Sequence, residues 1–360
     1  MKFDKNSKIF VAGGRGLVGS AIVKRLKDLG IKNILTPTRT ELDLRRQAET
    51  EKFFAQERPD YVFLAAAKVG GILANNTYRA EFIYDNLAIA LNTIDCSFKF
   101  GVKKLLNLGS SCIYPKFSPQ PMKEDFLLSG KLEPTNEPYA IAKISAIKLC
   151  EAYNFQYGTN FISLMPTNLY GENDNFNLET SHVLPAMIRK FILAKALSEG
   201  NFALIREDFR LHKIGFNLDN EVDLNSLNSM IETLAKIGIT KDRVTLWGSG
   251  KALREFLYVD DLADACIYFM ENFSAKETEP FVNIGYGEDI SIFELAELVK
   301  SIVGFTGEIY WDTTKPEGTP RKLLDITKAL SLGWKPKTSL GEGITKVVAH
   351  YYSNLQSSMV

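Results

Sequence analysis

The chain has 360 residues, 45% hydrophobic and 24% charged, which is ordinary for a soluble globular protein and enough to bury a substantial core. Its 43 Lys and Arg residues balance 43 Asp and Glu residues, so no excess of positive charge argues for nucleic acid or a membrane surface as partner. Cys96, Cys112, Cys150 and Cys266 show neither metal-ligand spacing nor a disulfide framework, so no metal is expected. The polar start at residues 1–8 lacks the apolar core of a signal peptide, and no apolar run reaches about 18 residues, so a cytoplasmic protein is expected.

Short β-rich runs at 8–12, 33–36, 61–67, 103–109 and 161–165 alternate with helical patterns at 17–29, 47–56, 76–100 and 139–157. This rhythm predicts a parallel sheet with helices on both faces and ligands beyond the carboxyl ends of the strands. After Pro166 the rhythm breaks. A helix is expected at 181–197, followed by a stretch of different texture at 199–242. That stretch reads as a polar, charged loop and then a helix over 223–237, with Leu224, Leu227, Ile231, Leu234 and Ile237 in one stripe and Gly238 as its stop. The plain reading is an inserted helix packed on the surface. Helices at 260–271 and 292–303 follow, and a strand at 281–284 returns to the main sheet.

Gly13-Gly14-Arg15-Gly16-Leu17-Val18-Gly19 follows the first strand and opens the first helix. Gly13, Gly16 and Gly19 have the spacing of a dinucleotide-binding turn. The first two allow a tight bend close to a pyrophosphate, and the third lets helix meet strand with its amides facing the anion. The expected fold is therefore α/β. A Rossmann-type, doubly wound parallel sheet spans residues 1–170, with returning segments at about 258–290. A smaller mixed α/β substrate-binding lobe takes 171–257 and 291–360, including an insertion at about 197–241.

The second strand ends at Thr36-Pro37-Thr38-Arg39. An acidic residue there would accept the ribose 2′-hydroxyl of NAD, whereas Arg39 suits the 2′-phosphate of NADP, and Arg15 offers a second cation. The competing reading makes both solvated surface arginines. Tyr139 and Lys143 lie four residues apart on one helical face. A free phenol has a pKa of about 10, and a fixed cation beside it is expected to draw that value down. Such a spacing is common by chance. It gains weight because Gly109-Ser110-Ser111-Cys112 closes the fourth strand at the sheet end that carries the glycine turn. Ser110 there can bind a carbonyl that Tyr139 protonates, which describes a ketone/alcohol hydride-transfer site using NADPH/NADP+.

With these motifs the chain resembles the extended short-chain dehydrogenase/reductase family. The runs from Leu108 to Pro115, Glu133 to Lys143, Pro166 to Gly171 and Thr319 to Asp325 resemble the GDP-L-fucose synthase family within it, over nearly the whole length except roughly 197–241. The resemblance implies Tyr139 as proton donor to O4, Lys143 as its electrostatic partner and Ser110 as the carbonyl-binding hydroxyl. It implies Cys112 and His182 as the acid–base couple for C3/C5 epimerisation. It also implies cofactor contacts from Leu108, Gly109, Ser111, Pro166, Thr167, Asn168, Leu169 and His182. For the substrate, a GDP-linked 4-keto-6-deoxy sugar, it implies Lys190, Trp247, Arg254, Glu317 and Lys322. Two of these depart from the family pattern, Lys190 replacing an arginine and Glu317 an aspartate, and a lysine cannot reproduce a bidentate arginine contact. A GDP-4-keto-6-deoxy-heptose thus stays open as substrate, with or without epimerisation. The helices near 82–100 and 139–157 resemble those that pair as a four-helix bundle, implying a homodimer.

Other readings fit less well. A nucleotide-sugar 4,6-dehydratase would need an Asp-Glu pair where Ser111-Cys112 stands. A UDP-hexose 4-epimerase recycling NAD is opposed by Arg39. A non-catalytic NADP-binding regulator would have no use for Ser110, Tyr139 and Lys143 together.

Overall fold

The computed structural model describes residues 2–315 and 318–358. The chain groups into two compact units. The first comprises the residues up to Leu169, Glu255–Glu288 and Leu323–Lys337, and the second Tyr170–Arg254, Asp289–Lys322 and the residues from Thr338 onward.

In the first unit Ile9–Ala12 (β1), Leu17–Asp28 (α1), Ile34–Leu35 (β2), Gln47–Glu57 (α2) and Tyr61–Leu64 (β3) follow one another. Then come Ile72–Thr77 (α3), Arg79–Lys99 (α4), Lys104–Leu108 (β4), Glu137–Tyr157 (α5) and Phe161–Pro166 (β5). The strand Val282–Ile284 joins β5, and the sheet runs in the order Val282–Ile284, β5, β4, β3, β1, β2, parallel throughout. β1, β3, β4 and β5 are buried along their whole length, which explains their continuous rather than alternating apolar sequences. Successive side chains still point to opposite faces. Ile9, Val11, Phe63, Leu106 and Leu164 pack with Ile22 and Leu26 of α1 and with the helix Val259–Asn272. Phe10, Val62, Leu64 and Leu105 pack with Phe54, Ile94, Cys96 and Cys150 on the other face. The single helix expected at 76–100 is instead two, because Tyr78 leaves helical geometry at φ −104° and ψ 41°.

Residues 323–337, expected in the second lobe, group with the first unit. Leu324 is buried in a core cluster with Ile113, Tyr114 and Phe281, and Met122 exchanges backbone hydrogen bonds with Leu323 and Asp325. Glu255 organises the same region. Its buried carboxylate accepts the Gly287 amide at 2.7 Å and the Leu324 amide at 3.1 Å, while its carbonyl accepts Asn168 Nδ2 at 2.8 Å. Each of these residues lies next to a point where the chain passes from one unit to the other. One buried acid thus ties three segments of the first unit together, burial pushing its pKa up while the amides support its charged form.

In the second unit the segment from 199 onward is not a polar loop. It forms Phe202–Leu211, which follows Val183–Ser198; we number these α7 and α6, and Leu227–Lys236 is α8. The charges read as loop-like include Asp208, which is fully buried against Arg189 of α6, with Nε and Nη2 at 2.9 and 2.6 Å. α8 lies within the helix expected at 223–237 and buries Met230 and Leu234 completely. A parallel pair, Arg243–Trp247 with Glu308–Asp312, and a small three-stranded sheet of Ile290–Ser291, Leu253–Arg254 and Arg321–Lys322 complete the unit with the helices Ile292–Val303 and Leu340–Ser358. Among the described residues no helix is long and apolar enough to cross a membrane.

Candidate functional site

β1 delivers the chain into a turn that admits only glycine at residues 13 and 19. Gly13 sits at φ +78°, and a Cβ there would lie 2.8 Å from the Ala66 backbone; a Cβ on Gly19 would collide with the Gly13 carbonyl. The turn closes through Gly14 N–H to Val11 O at 3.1 Å and Gly16 N–H to Gly13 O at 3.0 Å. Gly16 then starts α1 in an extended conformation, with no capping side chain and no carboxylate in the first turn, which Leu17, Val18 and Gly19 form. An uncapped helix start behind a stripped-down turn suits a pyrophosphate, so the residues fit a dinucleotide. Arg15 and Arg39 are both exposed. Glu41 is held below its ordinary pKa chiefly by Thr38 hydrogen bonds and also feels Arg15. Asp43, drawn down to about 2 chiefly by Arg45, also feels Arg39. Arg15 and Arg39 thus each lie near an acid of the segment after β2.

Farther across the sheet β4 ends at Leu108, and Gly109 passes so close to Met165 that a Cβ there would displace the end of the methionine side chain. Ser110 opens a short helical turn, Ser111–Ile113, and its Oγ accepts the Cys112 amide at 3.3 Å; Ser111 is buried. α5 brings Tyr139 and Lys143 to the same place. Burial, and then Cys112, push the pKa of the phenol well upward, and the nearby Ser110 hydroxyl offsets only part of this. Lys143 Nζ lies 5.7 Å from the Tyr139 ring centroid and donates to Leu108 O at 2.8 Å. Burial lowers its pKa to about 8.

The expected lowering of the phenol pKa by the lysine is therefore not the dominant effect. Both groups are taken out of water, which disfavours phenolate and ammonium alike. At neutral pH the pair is a neutral phenol beside an ammonium, and a neutral phenol is the form that donates a proton. Asn136, which no sequence motif marks, donates from Nδ2 to Cys112 Sγ at 3.4 Å. Its signal was its place at the start of α5, where a short amide is common.

β5 carries Pro166 at its end. Thr167 is buried with its amide on Ile284 O at 3.0 Å, Asn168 reaches Glu255, and Leu169 packs on the core.

In the second unit His182 is the residue that starts α6, and burial and then the charge of Lys322 hold its imidazole below the ordinary pKa. It is neutral, and able to accept a proton, at pH 7. Lys322 pairs with Arg254 across neighbouring parallel strands, so two cations stand side by side, and Arg254 Nη1 also holds Leu253 O at 2.7 Å. Trp247 is 50% exposed with Lys315 Nζ 5.6 Å from its ring centroid. Lys190 turns inward, donating to Thr245 O at 3.0 Å, and burial lowers its pKa to about 8. Glu317 lies outside the described residues.

The model of the NAD dependent epimerase/dehydratase family matches residues 9–206 and 216–285. A putative GDP-L-fucose synthase 2 of Arabidopsis thaliana is 53% identical over 98% of this chain and 94% of its own length. Among solved structures, a GDP-6-OMe-4-keto-L-xylo-heptose reductase from C. jejuni is 43% identical with a TM-score of 0.91, over 98% of this chain and 100% of that one. A GDP-mannoheptose C4 reductase from Campylobacter jejuni, solved with NADP bound, is 44% identical with a TM-score of 0.86, over 97% and 99%. Matches of this length and identity converge: the chain belongs to the NAD dependent epimerase/dehydratase family, among the relatives of the GDP-L-fucose synthases.

Proposed function

We propose that this protein is an NADPH-dependent enzyme that reduces the C4 ketone of a GDP-linked 4-keto-6-deoxy sugar, after epimerising the carbons on either side. The placing of Tyr139 beside Ser110, with the Lys143 ammonium 5.7 Å from the ring centroid, carries the reading. NADPH, when bound, supplies the hydride for C4. The glycine turn and α1 amides hold its pyrophosphate, and Arg15 and Arg39 hold its 2′-phosphate. Ser110 orients the ketone oxygen, and the neutral Tyr139 phenol gives it a proton. Arg254 and Lys322 bind the diphosphate by charge, and Trp247 contributes an aromatic face. Incubation with NADPH and either GDP-4-keto-6-deoxy-mannose or the corresponding heptose, followed by NMR of the product, tests the assignment. The likeness to heptose C4 reductases favours the heptose as a second reading, and an inward-turned Lys190 fits a pocket that differs from one using arginine.

Epimerisation requires proton removal at C3 or C5 and return from the opposite face of the ring. We assign Cys112 and the neutral His182 to those two roles, with Ser110 and Tyr139 stabilising the enolate between them. In deuterated water without NADPH the wild-type protein incorporates deuterium at C3 and C5, and Cys112→Ser slows this by about 10²-fold or more, the scale of a placed acid or base. An unlabelled sugar with wild-type protein reduces the assignment to a plain C4 reductase.

We also assign a homodimer to the outer faces of α4 and α5. Tyr84, Leu91 and Phe98 recur every seven residues on α4 and are 63%, 50% and 36% exposed, and Phe155 on α5 is 95% exposed. A stripe of that kind is the seam of a helix bundle. Sedimentation equilibrium of Leu91→Glu/Phe98→Glu gives monomer where the wild type gives dimer; equal masses overturn it.

A further inference from the structure

The segment 172–182, which leads into His182, is held by the insertion. Arg189 of α6, one residue before Lys190, is completely buried and fans out over both. Its Nη1 donates to Phe176 O at 2.9 Å and to Lys213 O at 2.7 Å, and its Nη2 to His212 O at 2.9 Å, while Asp208 of α7 balances its charge. Phe176 in turn packs edge-on against His212, with ring centroids 5.5 Å apart.

Beyond His212 the insertion makes a turn that is costly to form. Gly215, Phe216 and Asn217 have φ of +85°, +54° and +61°, and an aromatic residue rarely adopts that region. Two kinds of contact hold it. The Asp219 carboxylate accepts the amides of Ile214 and Gly215 at 2.7 and 2.9 Å. Glu179, three residues before His182, accepts the Phe216 amide at 2.7 Å, and a Cβ on Gly215 would come within 2.5 Å of the Glu179 Cβ. The inverted backbone is what turns the Phe216 amide toward Glu179. Glu179 is itself fixed, its amide donating to Asn177 Oδ1 at 2.9 Å, and Asn177 O accepts the amides of Thr180 and Ser181. The chain from the inserted turn to the catalytic-histidine segment is thus a continuous set of hydrogen bonds, all within the second unit.

We propose that the turn at 212–219 is a brace for the segment 172–182, with Glu179 and Phe216 as positioning residues that set where the His182 imidazole stands. The inference rests on the reading that His182 exchanges protons with the sugar. It gives the insertion a part in proton transfer and, because the same segment borders the substrate lobe's helix α6, in the choice of sugar. An inserted element that merely decorated the surface would have no need of a strained aromatic backbone joined to this one segment.

The test compares Glu179→Ala, which removes the acceptor, with Glu179→Gln, which keeps an oxygen for the Phe216 amide. In Glu179→Ala, amide hydrogen exchange in 172–182 accelerates at least tenfold and the His182 imidazole resonances shift. Deuterium incorporation at C3 and C5 falls about tenfold, while reduction of the already epimerised ketone changes by less than twofold. Glu179→Gln restores all of these toward wild type. Unchanged amide exchange and unchanged His182 resonances in Glu179→Ala overturn the brace. So does an equal fall in epimerisation and reduction, which marks a general loss of structure. If the wild-type protein incorporates no deuterium, the epimerase reading fails on its own, and the amide exchange and His182 resonances still decide the brace.

Discussion

Tyr139→Phe lowers NADPH-dependent reduction of the keto sugar by about 10²–10⁴-fold, the span over which a placed general acid acts, while NADP+ affinity stays within about twofold. The substitution removes one hydroxyl. The ring keeps its edge-on contact with Phe82, at 6.4 Å between centroids, and Lys143 keeps its bond to Leu108 O. The cofactor cradle at Gly13–Gly19 is untouched. Stopped-flow oxidation of NADPH, alongside a fluorescence titration with NADP+, separates the two quantities. A wild-type rate in the variant removes Tyr139 from the chemistry. The same pair predicts a pH limb. Lys143 is charged below its pKa of about 8 and loses its proton as pH rises through that value, so the wild-type rate declines on the alkaline side. The phenol contributes no limb in that range, because burial keeps it protonated.

Asp208→Ala destabilises the protein by about 3–5 kcal/mol, the cost of leaving a buried charge without its partner. Asp208 and Arg189 are both fully buried, and Tyr351 donates its hydroxyl to the other oxygen of the same carboxylate. In the variant the Arg189 guanidinium keeps only the carbonyls of Phe176, His212 and Lys213, which cannot neutralise it. The helices α6 and α7 and the C-terminal helix Leu340–Ser358 lose their common tie. Urea denaturation followed by circular dichroism reads the change as an earlier midpoint. The double variant Arg189→Met/Asp208→Leu loses less than Asp208→Ala, since removing both charges avoids the unpaired one. An unshifted midpoint for Asp208→Ala shows that the pair is solvated rather than buried.

The two effects fall on parts of the chain that differ in how openly they announce themselves. The glycine turn was legible because a tight, anion-facing bend excludes every residue but glycine at fixed spacing, and Gly13 and Gly19 obey that steric rule. Strands such as Ile9–Ala12 were legible because burial on both faces demands a continuous apolar run. The place of Ser110 just past the carboxyl end of β4 is legible from strand order. By contrast, the sequence of α7 resembles a loop because its acids look solvated when the partner is out of view. Asp208 is helical and buried only because Arg189, nineteen residues earlier, meets it. The grouping of 323–337 with the first unit is hidden for a similar reason, since nothing local tells Leu324 that the Glu255 carboxylate will accept its amide.

The sign of the Tyr139 shift marks the same boundary. Residue types and a four-residue spacing specify that a phenol and an ammonium stand together on one helical face. Whether the ammonium wins over desolvation depends on how much water the surrounding sheet and loops exclude, and the folded chain excludes enough to keep the phenol neutral. The amino-acid order by itself determined the parallel sheet and the glycine turn, because each rests on local sterics or periodic burial. Only the tertiary structure decided the partners of the buried charges, the bond between the turn at 212–219 and the His182 segment, and the protonation of the phenol. Those depend on electrostatics between residues far apart in sequence, where the dielectric and the partner are set by the fold.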